Sequence, residues 1–263
     1  MSIDAMQWSF LQFQSFLFIL MRVMPILFMM PLFSGTYIPH PLKVTFSLVV
    51  SLVLLPIVRV EPQRFPPDPW SLTFFMISEL MIGLILGLSM KLIFSGLQLA
   101  GEFAGFQMGF GVAHVVDPQS GIDTTVMAQL NYLIGLLVFC SIDGHHWFFR
   151  ALVQSFQLLS PGELHLGEGI YRHFLNLSGK MFIIAIQMVA PVVVVLILIQ
   201  IALGLVAKTV PQINILVTSF PLTVGAGLIF LGLSMDLLWP YLRALLDESG
   251  RGLVSTLLPL MKE

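Results

Sequence analysis

The chain has 263 residues, 57% of them hydrophobic and 10% charged, and a mean hydropathy of +0.95. About 25% of the residues of a soluble domain are charged, so this composition is that of an integral membrane protein. Twelve Lys and Arg against fourteen Asp and Glu leave no basic surface of the kind that holds nucleic acid. A single cysteine excludes a disulfide framework and a thiolate metal site, and Cys140, set in an apolar run, reads as a small core hydrophobe.

A spanning helix needs about 20 mostly apolar residues, and uncharged runs bounded by charge, Pro or Gly mark the candidates in chain order. The first is Trp8 to Met30, interrupted by Arg22 and Pro25. No Lys or Arg precedes Arg22, so the segment lacks the basic region of a cleavable signal and is expected to be retained. Val44 to Val58 is short for a span. RVEPQRFPPDP, Arg59 to Pro69, is charged and Pro-rich and predicts an extended interfacial loop.

Leu72 to Leu99 predicts a long helix carrying Glu79 and Lys91. GEFAGFQMGFGVAHVVDPQSG follows, from Gly101 to Gly121. It is apolar but a poor helix former, since each interior Gly costs about 1 kcal/mol relative to Ala. Thr124 to Ile142 is a clean apolar run, Phe148 to Leu159 a shorter amphipathic one, and Ser160 to Lys180 a polar loop with room for a short helix. Met181 to Ala207 and Thr209 to Met235 are uncharged runs of 27 residues each. As straight helices they would reach roughly 40 Å, beyond the roughly 30 Å hydrocarbon core. Pro191 and Pro221 are expected to interrupt them, and KTVPQIN, Lys208 to Asn214, is expected to form the tip of a helical hairpin. The basic residues fall on loops of both sides, so the positive-inside rule does not set the topology.

Four groups of residues could carry function. Glu79, Lys91 and Glu102 are spaced by 12 and 11 residues, and on one helix face they would form either a coupling site or charges paired across a subunit contact. DGHHW, Asp143 to Trp147, offers a carboxylate and two imidazoles, but adjacent His residues are expected on different faces. An interfacial turn competes with a metal site there. Pro211, Gln212 and Asn214 either cap a hairpin tip or hydrogen-bond neighbouring chains. In the Gly-rich stretch, Gly105, Gly109 and Gly111 let the backbone bend while Phe106, Met108 and Phe110 supply apolar bulk. Such a segment could plug a pore, but the spacing of Gly101, Gly105 and Gly109 by four, taken alone, favours close helix packing. No GxSxG, HExxH or P-loop occurs, and His114, His165 and His173 have no ligand spacing.

Taken together, AGEFAGFQMGFGVAHVVDP, DGHHWFFRALVQSF and VPQINILVTSFPLTVGAGL resemble, in order and spacing, the signature segments of the FliR/SctT family of type III secretion export-gate proteins. The resemblance extends from about Trp8 to Leu238. It implies an all-α integral membrane protein of long kinked helical hairpins, with a FliP-like part over residues 1–180 and a FliQ-like hairpin and tail over 181–263. It also implies no enzymatic activity, no cofactor and no metal. The expected partners are FliP-like and FliQ-like subunits around a single copy of this chain, FlhB-like and FlhA-like export proteins, unfolded protein substrates and the lipid of the bacterial inner membrane, with the assembly projecting towards the periplasm. By the same resemblance the plug falls on residues 105–121, with Gly105, Phe106, Gln107, Met108, Gly109, Phe110, Gly111, Asp117 and Pro118 as gating residues. Lys91, Glu102, Pro211, Gln212 and Asn214 are the expected inter-subunit contacts. The rivals are a virulence secretion subunit, a transporter using Glu79, Lys91 and Glu102, and a membrane enzyme using Asp143, His145 and His146.

Overall fold

The structure is a computed structural model and describes residues 2–35, 38–58, 68–110, 125–160, 162, 164–209 and 215–262. Among the described residues the regular elements are helices: α1 (Ser2–Met29), α2 (Pro31–Ser34), α3 (His40–Leu54), α4 (Pro69–Met108), α5 (Val126–Ser141), α6 (His145–Leu158), α7 (Glu168–Thr209) and α8 (Ile215–Gly252). A π-helical turn, Leu253–Leu257, and a last short helix, α9 (Leu258–Leu260), follow. Among the described residues four stretches are long and apolar enough to cross a membrane, in α1, α4, α7 and from α8 onward, and a fifth if α5 and α6 form one broken span. The described residues adopt the all-α architecture that the resemblance implies, in keeping with a membrane protein by composition.

The helices form two compact units. The first holds residues 1–92, 143–177 and 247–263. Its core is built from helical stripes: Phe18, Ile19, Val23, Ile26 and Leu27 on α1 and Ile82, Leu86 and Met90 on α4 are all buried. Arg22 and Glu79 fall within these stripes and are buried with them. α1 also packs on α3 and α6. A Cβ at Gly83 would stand 3.2 Å from the Pro25 ring and one at Gly87 2.8 Å from Met29 Cβ, so these two glycines let α4 cross α1 closely. The carboxyl end closes the unit: Leu257, Leu258 and Met261 are fully buried, and His165 N–H donates to the Met261 carbonyl at 3.2 Å.

The second unit holds residues 93–142 and 178–246. Phe94, Leu97, Ala100, Ala104 and Met108 of α4 repeat every three or four residues and are buried, as are Ala128, Tyr132, Val138 and Phe139 of α5. Phe94 meets Tyr132 and Phe139 edge to face at 5.7 and 5.6 Å. Tyr241 OH donates to Gln187 Oε1, tying α8 to α7.

Several expectations from the sequence are corrected. α4 does not stop near Leu99; it runs through Gly101 and Gly105 to Met108. The two glycines lie against the start of α5, where a Cβ at Gly101 would be 2.6 Å from the Ala128 nitrogen and one at Gly105 2.9 Å from Thr125 Oγ1. Packing thus outweighs the local helix penalty. The polar segment ends early, since α7 begins at Glu168, while Pro25, Pro191 and Pro221 lie inside their helices, where the sequence places them. Cys140 is exposed, not core, because the buried face of α5 runs through Val138 and Phe139 and leaves position 140 outside it. The expected loop over residues 59–67 and the hairpin tip over 210–214 lie outside the described residues.

Candidate functional site

An α-helix leaves its last four carbonyls without helical partners. In α4 these belong to Gly105, Phe106, Gln107 and Met108, four of the residues assigned to the plug. Phe110 N–H donates to the Gly105 carbonyl at 2.9 Å and Gly109 N–H to that of Phe106 at 3.1 Å. With Gly109 at φ +99° this is a Schellman cap, and Gly109 is needed because its backbone is left-handed. The other two carbonyls are met from other helices. Gln200 Nε2 of α7 donates to the Gln107 carbonyl at 3.1 Å, and Thr223 Oγ1 of α8 to that of Met108 at 2.9 Å.

The side chains at this end divide by role. Phe106 points outward and is 74% exposed, whereas Met108 is fully buried. A Cβ on Gly227 would stand 2.9 Å from Met108 Cγ, so that glycine makes the methionine's slot. Phe110 sits edge-on to Phe220 at 6.0 Å. Gln107 is turned to α7, its Nε2 donating to Gln200 Oε1 at 3.3 Å. Gly111, Asp117 and Pro118 lie outside the described residues, as do Pro211, Gln212 and Asn214.

The far foot of the segment is fixed to the same helix. Thr125 caps α5, its Oγ1 accepting from Ala128 N–H at 3.1 Å, while its own N–H donates to Glu102 Oε1 at 3.1 Å. Residues 109 to 125 therefore start at the end of α4 and finish beside Glu102 on the same helix.

The charges expected to share a face do not. A spacing of 12 residues turns a helix about a third of a turn past register, and Glu79 is buried while Lys91 is exposed. Glu79 instead pairs with Arg22, whose Nε lies 2.6 Å from Oε2 and Nη2 2.9 Å from Oε1. Arg22 Nη1 donates to Ser155 Oγ at 3.1 Å, the Leu159 carbonyl accepts at 3.4 to 3.5 Å, and the Phe156 ring centroid is 4.2 Å from the guanidinium. Gly162 N–H, at φ +83°, closes the cluster on Glu79 Oε1 at 3.2 Å. Arg22 was legible only as an interruption of an apolar run, yet it falls on the buried stripe of α1. Gln200, likewise unassigned from sequence, is the one polar side chain between Pro191 and Ala207.

The two imidazoles of DGHHW come together rather than apart: their ring centroids are 4.3 Å apart, and with Asp143 their ligand atoms lie within 4.8 Å of one another. Asp143 makes the turn at φ +55°, and its carbonyl is 3.3 Å from His146 Nδ1. A tetrahedral ion bound at about 2.1 Å holds its donors about 3.4 Å apart, and the amino-terminal end of α6 repels a cation. The arrangement is that of a tight turn leading into α6, whose first turn has no side-chain cap.

Residues 13–249 match the sequence model of the family described as Bacterial export proteins, family 1. The chain belongs to this family. Similar relatives are three proteins each named flagellar biosynthetic protein FliR. That of Bacillus subtilis (strain 168) is 33% identical over 88% of this chain and 90% of its own length. The one from Pectobacterium carotovorum subsp. carotovorum is 29% identical over 86% of each chain, and that of Escherichia coli (strain K12) 27% over 87% of each. The family match takes in both ends of the 109–125 segment, Gln200, Thr223 and the Arg22 cluster. The buried residues Leu257, Leu258 and Met261 lie beyond it.

Proposed function

We propose that this chain is a subunit of the flagellar type III protein export gate. A single copy assembles with FliP-like and FliQ-like subunits in the bacterial inner membrane to form the channel that conducts unfolded flagellar proteins during flagellum assembly. It is a channel component rather than an enzyme, residues 1–180 are its FliP-like part and 181–263 its FliQ-like part, and the assembly stands in the flagellar basal body, projecting towards the periplasm. FlhB-like and FlhA-like export proteins work beside it. The names of its FliR relatives favour the flagellar system over the virulence one.

The observation that carries the gate reading is the mounting of residues 109–125: both feet are fixed to one end of one apolar helix, beside an exposed Phe106. Apolar bulk on a rigid mount can seal a channel. Phe106, Met108 and Phe110, with Gly105, Gln107, Gly109, Gly111, Asp117 and Pro118, form the seal. Lys91, Glu102, Pro211, Gln212 and Asn214 contact neighbouring subunits. The separation of Glu79 from Lys91 and its pairing with Arg22 weigh against a transporter's coupling site.

Co-expression with its FliP-like and FliQ-like neighbours, followed by the native mass of the detergent-extracted complex, tests membership. One copy of this chain in a larger mixed assembly is expected. A monomer or homodimer indifferent to those partners would overturn the assignment. Shortening residues 105–116 is expected to make the assembled complex leak small ions, and an ion-tight complex of normal mass would remove the plug assignment.

A further inference from the structure

Of the four terminal carbonyls of α4, the chain's own backbone caps the first two, whereas Gln107 and Met108 depend on side chains reaching over from α7 and α8. These two donors differ in kind from a fixed cap. Thr223 Oγ1 carries one proton and has three carbonyl oxygens in reach: Met108 at 2.9 Å, Ser219 at 3.0 Å and Phe220 at 3.1 Å. The last two belong to its own helix, where the carbonyls already serve as helical acceptors. Met108, the final residue of α4, gains most from the proton. Gln200 and Gln107 form a two-way clasp, the side chain of each donating to the other residue, and this pair is exposed. Gln200 can therefore hand its bonds to water.

We propose that Gln200 and Thr223 are positioning residues for the seal: a two-point clasp through which the helical hairpin holds the carboxyl end of α4 in its closed place. Its release leaves no donor stranded. Thr223 swings its proton back onto Ser219 or Phe220, and Gln200 turns to water. What release costs is the buried Met108 carbonyl and the withdrawal of the methionine from its slot beside Gly227. The clasp thus holds the closed state by a small margin, as a gate opened by its own cargo requires. The inference rests on residues 105–121 being the plug.

The test is ion leak through the co-expressed, assembled complex, with native mass recorded for every variant. Thr223→Val keeps the shape and removes the proton, and leak is expected to rise about tenfold, the effect of leaving one buried carbonyl unpaired. Thr223→Ser is expected to stay tight. Gln200→Ala, at an exposed bond, is expected to raise leak about two- to threefold. A Thr223→Val, Gln200→Ala double variant that is ion-tight at normal mass overturns the clasp, as does a Thr223→Ser variant as leaky as Thr223→Val. Should Thr223→Val fail to assemble, Gln200→Ala decides: a leak supports the clasp and a tight complex overturns it. The variant shortened over residues 105–116 separates the two levels. If it leaks while the clasp variants stay tight, the clasp fails and the plug stands; if it too is tight, both fail.

Discussion

Arg22 has five N–H donors, and all are directed within one buried cluster, to the Glu79 carboxylate, Ser155 Oγ and the Leu159 carbonyl. A buried pair adds little over a well-packed apolar substitute, but removing one partner strands a charge in the core and costs about 3–5 kcal/mol. Arg22→Leu is therefore expected to lower the thermal midpoint of the detergent-solubilised full chain sharply. The Arg22→Leu, Glu79→Leu double variant should recover much of the loss. Equal loss in both would show that the hydrogen bonds to Ser155 and Leu159 outweigh the ion pair. At this scale the sequence was half legible. Glu79 stood out as a charge in an apolar helix, and Arg22 stood out in another, but pairing them required knowing that α1 and α4 cross at Gly83 and Gly87. Nothing in a periodicity reports a crossing point. Gln200 and Thr223 were illegible for the same reason: a hydroxyl or an amide on an apolar helix gives no sign of which foreign carbonyl it meets.

α4 shows why an element can be recognised and its end missed. The apolar run announced the helix, but Gly101 and Gly105 suggested that it would break nine residues before it does. Helix propensity is a weak prior, and here the small residues are what allow α5 to start against the helix. Gly105→Val places two methyls where Thr125 already stands 2.9 Å from a single Cβ. Overpacking of this kind is expected to cost about 1–3 kcal/mol, read as a lower thermal midpoint together with earlier proteolytic cleavage near residue 125. Gly109→Ala acts differently, by imposing a left-handed backbone on a residue with a Cβ, at about 1–2 kcal/mol. Its expected signature is increased ion leak with unchanged native mass, because the strain falls on the cap and not on the packing of α4 against α5. A tight complex would mean that Gly109 serves the fold and not the closed state.

For the whole molecule, the decisive fact is how little of its apolar surface the chain covers by itself. In the most apolar windows of the last two long stretches only 33% and 28% of the residues are buried. Val194, Ile197, Leu198, Ile201 and Leu205 form one exposed stripe along α7. Lipid alone does not account for the whole helix. The part of α7 in the second unit, residues 178–209, would run about 48 Å at 1.5 Å per residue, well past a hydrocarbon core of about 30 Å. The stripe from Val194 to Leu205, about 17 Å long at that rise, fits under either lipid or other helices. Leu198→Lys separates the two kinds of cover. Where lipid faces the position, a lysine costs about 2.5–3.5 kcal/mol on insertion, and the amount of chain recovered in the membrane falls while whatever inserts still assembles. Where a FliP-like or FliQ-like helix faces it, the chain inserts normally and the ammonium is buried without a partner only on assembly. The proposed gate predicts the second outcome, with full membrane recovery and loss of the mixed complex by native mass. Normal assembly from a reduced pool of chain would place position 198 against lipid and move the subunit contacts of α7 to another face.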